Sequence, residues 1–232
     1  MLFRSRLVAD IKLPEDNTLV YRIGNASGFA GILDGDGHTV TLNIPYTSKT
    51  YASVIHTLAA DGVVKNLTVR GVICSAAEYA GGVVGYSYGT VENCKSYVKI
   101  TSTGKFAAGI AARAGSGAKF KDCLFGGTVS QSNDSNYAGG ITSFADNCSF
   151  VGCVNEGEVI GGRYSVGGIA GRGALVTVVN CSNMGTLTAL QNRGQVGGIV
   201  GELVSGNSTL IDCHNVGLLK GGSSVADRKS VV

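Results

Sequence analysis

A short apolar pattern flanked by small residues returns five times along the chain at a nearly constant interval, and this periodicity limits the fold more than any other feature. It reads AGGVVG around Val83, AAGIAA around Ile110, AGGITS around Ile141, VGGIAG around Ile169 and VGGIVG around Ile199, at spacings of 27, 31, 28 and 30 residues. A second pattern reads VENC at Cys94, FKDC at Cys123, FVGC at Cys153, VVNC at Cys181 and LIDC at Cys213, at spacings of 29, 30, 28 and 32. The two keep step. Ile55 and Leu67 hold the same two positions in a divergent copy, and GILDGDGHTVTLNI, around Ile32 to Ile44, reads as a still more divergent opening coil. Self-similarity at periods of roughly 20–50 residues marks solenoids, propellers and arrays.

Each period holds three short apolar segments. The third is marked by the sixth residue after each Cys, at Ile100, Val129, Val159, Leu187 and Leu219, with Ile73 in that place after Leu67. Short segments rich in Val and Ile, separated by Gly, Asn and Ser, read as strands rather than helices. Helical repeats of similar period need long Ala and Leu stripes, and leucine-rich repeats need a dense leucine pattern; this sequence has neither. The expectation is an all-β fold, a parallel β-helix or β-solenoid with three short strands per coil of about 29 residues. Glycine is abundant, 36 of 232 residues, but too sparse for collagen, and an apolar fraction of 44% excludes a solvated disordered chain.

Two sets of residues predict corners. Asn66, Asn93, Asp122, Gly152, Asn180 and Asp212 stand immediately before the Cys positions or Leu67, and all are types that tolerate left-handed backbone angles. A bend there lets the Cys and the residue three before it (Val64, Val91, Phe120, Phe150, Val178 or Leu210) both point inward. Gly127, Gly157, Gly185 and Gly217, four after the Cys, predict a second corner. Coils stacked about 4.8 Å apart satisfy one another's backbone hydrogen bonds and bury one continuous core.

GGVVGYSYGTVENCKSYVKI (Gly81 to Ile100), GGIAGRGALVTVVNCSNMGTL (Gly167 to Leu187) and GGIVGELVSGNSTLIDCHNVGLL (Gly197 to Leu219) resemble the GLUG motif family, whose unit opens with a Gly-Gly-hydrophobic-hydrophobic-Gly strand. The likeness covers about Val54 to Gly222. It implies part of a large bacterial surface or secreted protein, since family members include adhesin-like proteins and non-catalytic parts of immunoglobulin A-cleaving metallopeptidases. The family brings no catalytic set to transfer. Copies that depart from its glycine pattern, at Ile110 and Ile141, are expected to mark irregular coils.

Seven cysteines raise the question of disulfides or metal. Cys94, Cys123, Cys153, Cys181 and Cys213 recur once per coil, and no CxxC pair supports zinc. Stacked parallel positions set their Cβ atoms side by side, a poor disulfide geometry. The expectation is a structural column of reduced, buried thiols acting as small apolar filler, with no metal and no cofactor. Tyr51, Tyr79, Phe106 and Tyr137 each lie four residues before the first-strand Val or Ile, so they should stack on consecutive coils, with Tyr164 nearby after a one-residue insertion. They read either as a corner ladder of stacked rings or as a platform on which sugar rings lie. Asp34 and Asp36 could offer two oxygens to calcium, but the spaced Glu of an EF-hand loop is missing, and Gly35 and Gly37 fit a tight turn. His38, His56 and His214 fall in unrelated parts of the repeat and no HExxH or GxSxG occurs, so no catalytic residue is assigned. Asn-x-Ser/Thr sites at Asn25, Asn66, Asn133, Asn147 and Asn207 read as a consequence of composition.

The identifiable residues thus serve stacking and turning. The sequence points to a non-enzymatic structural or adhesive segment of a bacterial protein at the cell surface or in the extracellular space, with a host or microbial surface glycan or protein as partner. The alternative is a carbohydrate-binding or carbohydrate-active β-helix of the polysaccharide lyase kind. A lyase needs acidic and basic groups clustered on one outer face, whereas Lys95, Lys99, Lys121, Glu156 and Glu158 are scattered. A formal charge of +3 with no basic block disfavours nucleic acid, and no apolar run approaches the roughly 20 residues that cross a bilayer. The ends stand apart: Leu2 to Ser5 and Asp227 to Val232 are what the two ends of a common sequencing adapter encode. The expectation is one monomeric β-helix segment, residues 6–226, of a longer metagenomic gene, with 6–53 as divergent opening coil and 1–5 and 227–232 as adapter read-through.

Overall fold

The computed structural model describes residues 4–16, 22–132, 137–161, 163–190, 194–204 and 206–221, with the backbone of 224–226. Asn133, Gly222 and the terminal stretches 1–3 and 227–232 lie outside the described residues. Among those described there is no helix, and the strands pair in parallel from coil to coil. The chain winds into a β-solenoid of about seven coils.

One coil shows the plan. Tyr79–Gly81, Val84–Ser87, Thr90–Glu92 and Lys95–Ser102 follow one another around it. Stacking on the neighbouring coils turns these into four sheets, here I to IV in that order, with seven, six, eight and twelve strands among the described residues. The three apolar segments of the repeat are all present, and the first folds at its Gly-Gly pair into the strands of sheets I and II. In the later coils sheet IV divides as well, for example into Leu124–Phe125 and Thr128–Gln131. The division falls at Gly127 and its equivalents Gly157, Gly185 and Gly217. A Cβ on Gly157 would lie 2.5 Å from the carbonyl oxygen of Gly127, so close approach of successive coils demands glycine there.

The other corner rests on backbone angle. Asn66, Asn93, Asp122, Gly152, Asn180 and Asp212 all take positive φ, between 48° and 64°. Just beyond, Leu67, Cys94, Cys123, Cys153, Cys181 and Cys213 turn into the core, beside Val64, Val91, Phe120, Phe150 and Val178. Phe120 and Phe150 stack with centroids 5.0 Å apart. Leu210 and Leu219, on the last full coil, are only partly covered.

The opening region joins the same stack: Ile32–Asp34 pairs with Val63–Lys65, and Thr39–Thr47 with Thr68–Ser75. Arg4–Arg6 in turn pairs with Ile32–Asp34. Two expectations need correction. Ile55 pairs with Val84 rather than Val83, because Tyr51 pairs with Tyr79 and the corner between them is one residue shorter in that coil. The copies at Ile110 and Ile141 are regular: Phe106–Ala108 pairs in register with Tyr79–Gly81 and Tyr137–Gly139, and Ala111–Ala114 with Val84–Ser87 and Thr142–Asp146. Alanine and serine are small enough to substitute for the missing glycines.

A buried amide ladder runs along sheet IV at the position two after the Cys. Asn155 donates from Nδ2 to Asn183 Oδ1 at 2.6 Å, and Asn183 donates to Asn215 Oδ1 at 2.7 Å. Asn155 and Asn183 are fully buried. Both the backbone of the next coil and this ladder exclude a side chain at the second glycine of the Gly-Gly pair: a Cβ on Gly140 would lie 2.3 Å from the Gly168 carbonyl oxygen. A Cβ on Gly140 would sit 2.5 Å from Asn155 Oδ1, and one on Gly168 would sit 2.6 Å from Asn183 Cβ. The core column and the corner therefore fit together through the absence of a side chain.

Removing the central rung takes the Asn183 partner from buried Asn155 Nδ2, which keeps only the Gly157 carbonyl at 3.3 Å, and from the Gly185 carbonyl and half-covered Asn215 Oδ1, and a buried group left short of partners costs about 1–3 kcal/mol. Asn183→Ala is accordingly expected to lower unfolding free energy by about 2–4 kcal/mol in urea titration. Asn215→Ala, at the half-covered end of the ladder, should cost clearly less.

Candidate functional site

The most elaborate outward feature lies along the corner between sheets I and II. On the sheet I side Tyr51, Tyr79 and Phe106 are aligned by strand pairing, and Phe106 pairs with Tyr137. Their rings stack: Tyr51 on Tyr79 at 4.6 Å and 6°, Tyr79 on Phe106 at 5.2 Å and 19°, Phe106 on Tyr137 at 6.3 Å and 10°. Ser165 occupies the next place in that column, and Tyr164 swings in to stack on Tyr137 at 5.4 Å. The rings turn their faces toward one another along the solenoid axis. Tyr79 is buried, whereas Tyr51, Phe106 and Tyr137 are half-buried.

Sheet II supplies a facing wall that the sequence reading missed. Thr57, Tyr86, Arg113, Phe144, Arg172 and Glu202 are paired in register on consecutive strands. Tyr86 reaches the Tyr79 ring at 5.9 Å, and Phe144 meets Phe106 and Tyr137 edge-on at 5.7 and 5.6 Å. Arg113 lies between aromatic neighbours, its guanidinium carbon 5.0 Å from the Tyr86 ring and 4.9 Å from that of Phe144. Arg172 covers the other side of Phe144 at 4.7 Å and forms an ion pair with Glu202 at 3.7 Å. Ser165 also donates to Glu202, at 3.1 Å. From Val83 onward, each of these residues lies three after the Val or Ile of its repeat, so the period itself carried the signal.

The seam changes the chemistry of its members. Burial pushes the phenols of Tyr51, Tyr86 and Tyr137 above the ordinary tyrosine range, with a hydrogen bond to Tyr88 adding to the effect at Tyr86. Arg172 partly offsets it at Tyr137. The phenols stay protonated donors near neutral pH. His56 stands at the start of the seam, 4.0 Å from the Tyr51 ring and bonded through Nδ1 to Thr57 Oγ1 at 2.9 Å. Burial lowers its pKa, which keeps the imidazole neutral.

The other candidate residues lie apart from this seam. Cys94, Cys123, Cys153, Cys181 and Cys213 form one buried inward column, and all seven cysteines are unbridged. Burial raises the thiol pKa of Cys94 and Cys153, and of Cys148 to about 12. Cys181 is drawn the other way, because its sulfur accepts hydrogen bonds from the Cys153 thiol and from the Cys153 backbone N–H. Asp34 and Asp36 shape a turn: Asp34 accepts from the Asp36 N–H and from Asn66 Nδ2 and pairs with Lys65, while Asp36 pairs with Arg6. His38 lies 3.3 Å from Asp10, and His214 is exposed on a sheet IV strand. Lys121 pairs with Glu92 at 3.0 Å, so one of the scattered charges has an internal partner.

Comparison with known proteins agrees with this architecture. Residues 76–101 match the family model described as the GLUG motif. Over 74 residues, 31% of the chain, the sequence is 34% identical to Halomucin of Haloquadratum walsbyi, of which the match covers only 1%. The fold is similar to the crystal structure of a "putative immunoglobulin A1 protease" from Bacteroides ovatus. That similarity has a TM-score of 0.73 at 22% identity and covers 98% of this chain and 78% of the other. At that identity the likeness concerns the fold alone.

Thiol access gives a direct check on the inside and outside of the coils. In the native protein iodoacetamide is expected to modify half-buried Cys74 first, leaving Cys94, Cys123, Cys153, Cys181 and Cys213 unmodified until unfolding. Peptide mass spectrometry reads the order, and rapid labelling of the five would put their column on the surface.

Proposed function

We propose that this GLUG-containing β-solenoid is a non-enzymatic, structural and adhesive segment of a bacterial cell-surface or secreted protein. The observation that carries the reading is the allocation of recurring side chains. Cys, Asn, Val and Phe columns fill the core, Asn and Asp columns turn the corner, and the one elaborate outward feature is a rigid aromatic and arginine seam. Such a surface can hold a ligand without transforming it. Among the described residues no three His, Cys, Asp or Glu side chains gather in a way that could hold a metal ion, and there is no helix long and apolar enough to cross a membrane. The immunoglobulin protease named for the structural neighbour shares the solenoid, and a solenoid by itself carries no chemistry.

Carbohydrate is the ligand we read for this adhesion, but not through sugar rings lying on open aromatic faces. The faces of Tyr51, Tyr79, Phe106 and Tyr137 already meet one another, so a glycan on this surface meets ring edges and hydroxyls rather than open faces. The ladder then has a structural duty as well, with each stacked pair worth about 0.5–1.5 kcal/mol beyond the area it buries.

Incubation of the chain with polygalacturonate and with immunoglobulin A1 is expected to yield no unsaturated oligosaccharide and no peptide cleavage; catalytic turnover of either would overturn the non-enzymatic reading. Tyr79→Ala combined with Tyr137→Ala is expected to remove about 4 kcal/mol or more of stability, a fall of roughly 8–16 °C in melting temperature, because both remove rungs with neighbours on each side.

A further inference from the structure

We propose that Arg113 is an anion-binding subsite of the seam and that its ligand is an acidic polysaccharide, a chain of sugar rings bearing carboxylate or sulfate groups. The proposal rests on the adhesive reading and names the ligand class for the same surface. Arg113 lies on the strand Ala111–Ala114, its guanidinium held among Tyr86, Phe144 and, at 5.7 Å, Phe106. Its Nε is sealed from solvent and has no hydrogen-bond partner. Among the described residues no carboxylate pairs with it. Of the acids on this side of the solenoid, Glu78 pairs with Lys105 at 3.5 Å, and Glu202, three strands along the same column, pairs with Arg172 at 3.7 Å.

The contrast with Arg172 makes the point. The two arginines occupy the same outward column, separated by Phe144 on the intervening strand. The Nε of Arg172 is likewise sealed and without a hydrogen-bond partner, so the difference lies in charge: Arg172 has an internal counter-charge in Glu202 and Arg113 has none among the described residues. Aromatic neighbours fix the plane of the Arg113 guanidinium, so its outer N–H groups form a fork whose ordering cost is already met. Carboxylate and sulfate oxygens match such a fork in paired hydrogen bonds.

The surroundings favour a polysaccharide over a polypeptide. An extended acidic peptide gains most by pairing with a free strand edge, yet along the seam the backbone groups already bond from coil to coil. The seam offers side chains instead. Arg113 and Arg172 lie two strand spacings apart, about 9.5 Å, a distance comparable to two linked sugar rings.

Titration calorimetry of the whole chain with polygalacturonate (carboxylates only), dextran sulfate (sulfates only) and unmodified dextran tests this and separates the two anion sources. Binding of one or both acidic polymers, weakening with salt, is expected, with none of dextran. Arg113→Gln should lower the affinity about tenfold while circular dichroism stays unchanged. Glu202→Gln, which frees Arg172 from its counter-charge, should raise it several-fold, a gain that loss of folding cannot produce. Acidic-polymer binding that ignores both substitutions would overturn the subsite and leave the adhesive reading standing. Failure of the folded wild type to bind either acidic polymer would also overturn it; retention on cell surfaces would then keep the adhesive reading, and its absence would end both. Arg113-dependent binding of polyglutamate with no binding of either polysaccharide would replace the sugar polymer by a protein.

Discussion

Every part of this molecule answers to the in-register parallel stacking of one coil on the next. Each residue lies directly beside its counterpart in the neighbouring coils, so a column is stable only if its members tolerate their own kind, or a suitable complement, about 4.8 Å away. Thiols, amides and aromatic rings meet that condition with themselves. Asn155, Asn183 and Asn215 chain donor to acceptor, and the tyrosine ladder stacks face to face. Charges cannot stack on like charges, and the ion pairs alternate in sign along their columns: Asp34 with Lys65, Glu92 with Lys121, Arg172 with Glu202. These exposed pairs add little stability singly. Their value is in keeping a wrong register unattractive.

The same rule explains how much the sequence disclosed. Where a column repeats one residue type, its position is readable: the Cys column, the left-handed Asn and Asp corner, and the rings at Tyr51, Tyr79, Phe106 and Tyr137 were placed from spacing alone. The amide ladder also has a sequence signal, an Asn two after the Cys in three successive copies. The facing wall of the seam was harder to find. Thr57, Tyr86, Arg113, Phe144, Arg172 and Glu202 share a period but not a type, and periodicity searches respond to similarity. Alternating cation and ring is a complementary column, visible once partners on adjacent coils are read together.

The bending of strands was also less legible than their existence. A Gly-Gly pair inside an apolar run reads as a flexible strand, and only packing shows it to be the corner that parts sheets I and II. Likewise the missing residue before Ile55 leaves no gap in the apolar pattern, because Val54 and Ile55 are both apolar and both buried. The shift of one residue is absorbed at that corner without loss of cross-coil bonding, the Ile55 N–H donating to the Val83 carbonyl of the next coil.

The glycine pattern that defines the repeat links the core to the seam. Its second glycine leaves room for the amide ladder, while the last glycine of the pattern lies against the seam: a Cβ on Gly85 would come within 2.7 Å of the Tyr51 ring. Where the copies depart from this pattern they use the next smallest side chains, Ala112 and Ser143, and Ser143 donates to the Ala112 carbonyl at 2.5 Å. The corner is thus held by groups too small to take part in recognition. The outward residue that follows is anchored by the backbone yet makes no demand on the core, so it can be Tyr, Arg, Phe or Glu in successive coils. A repeat that fixes its backbone with glycine frees the adjacent column to vary, and in this chain that column carries Arg113, a cation with no internal counter-charge among the described residues.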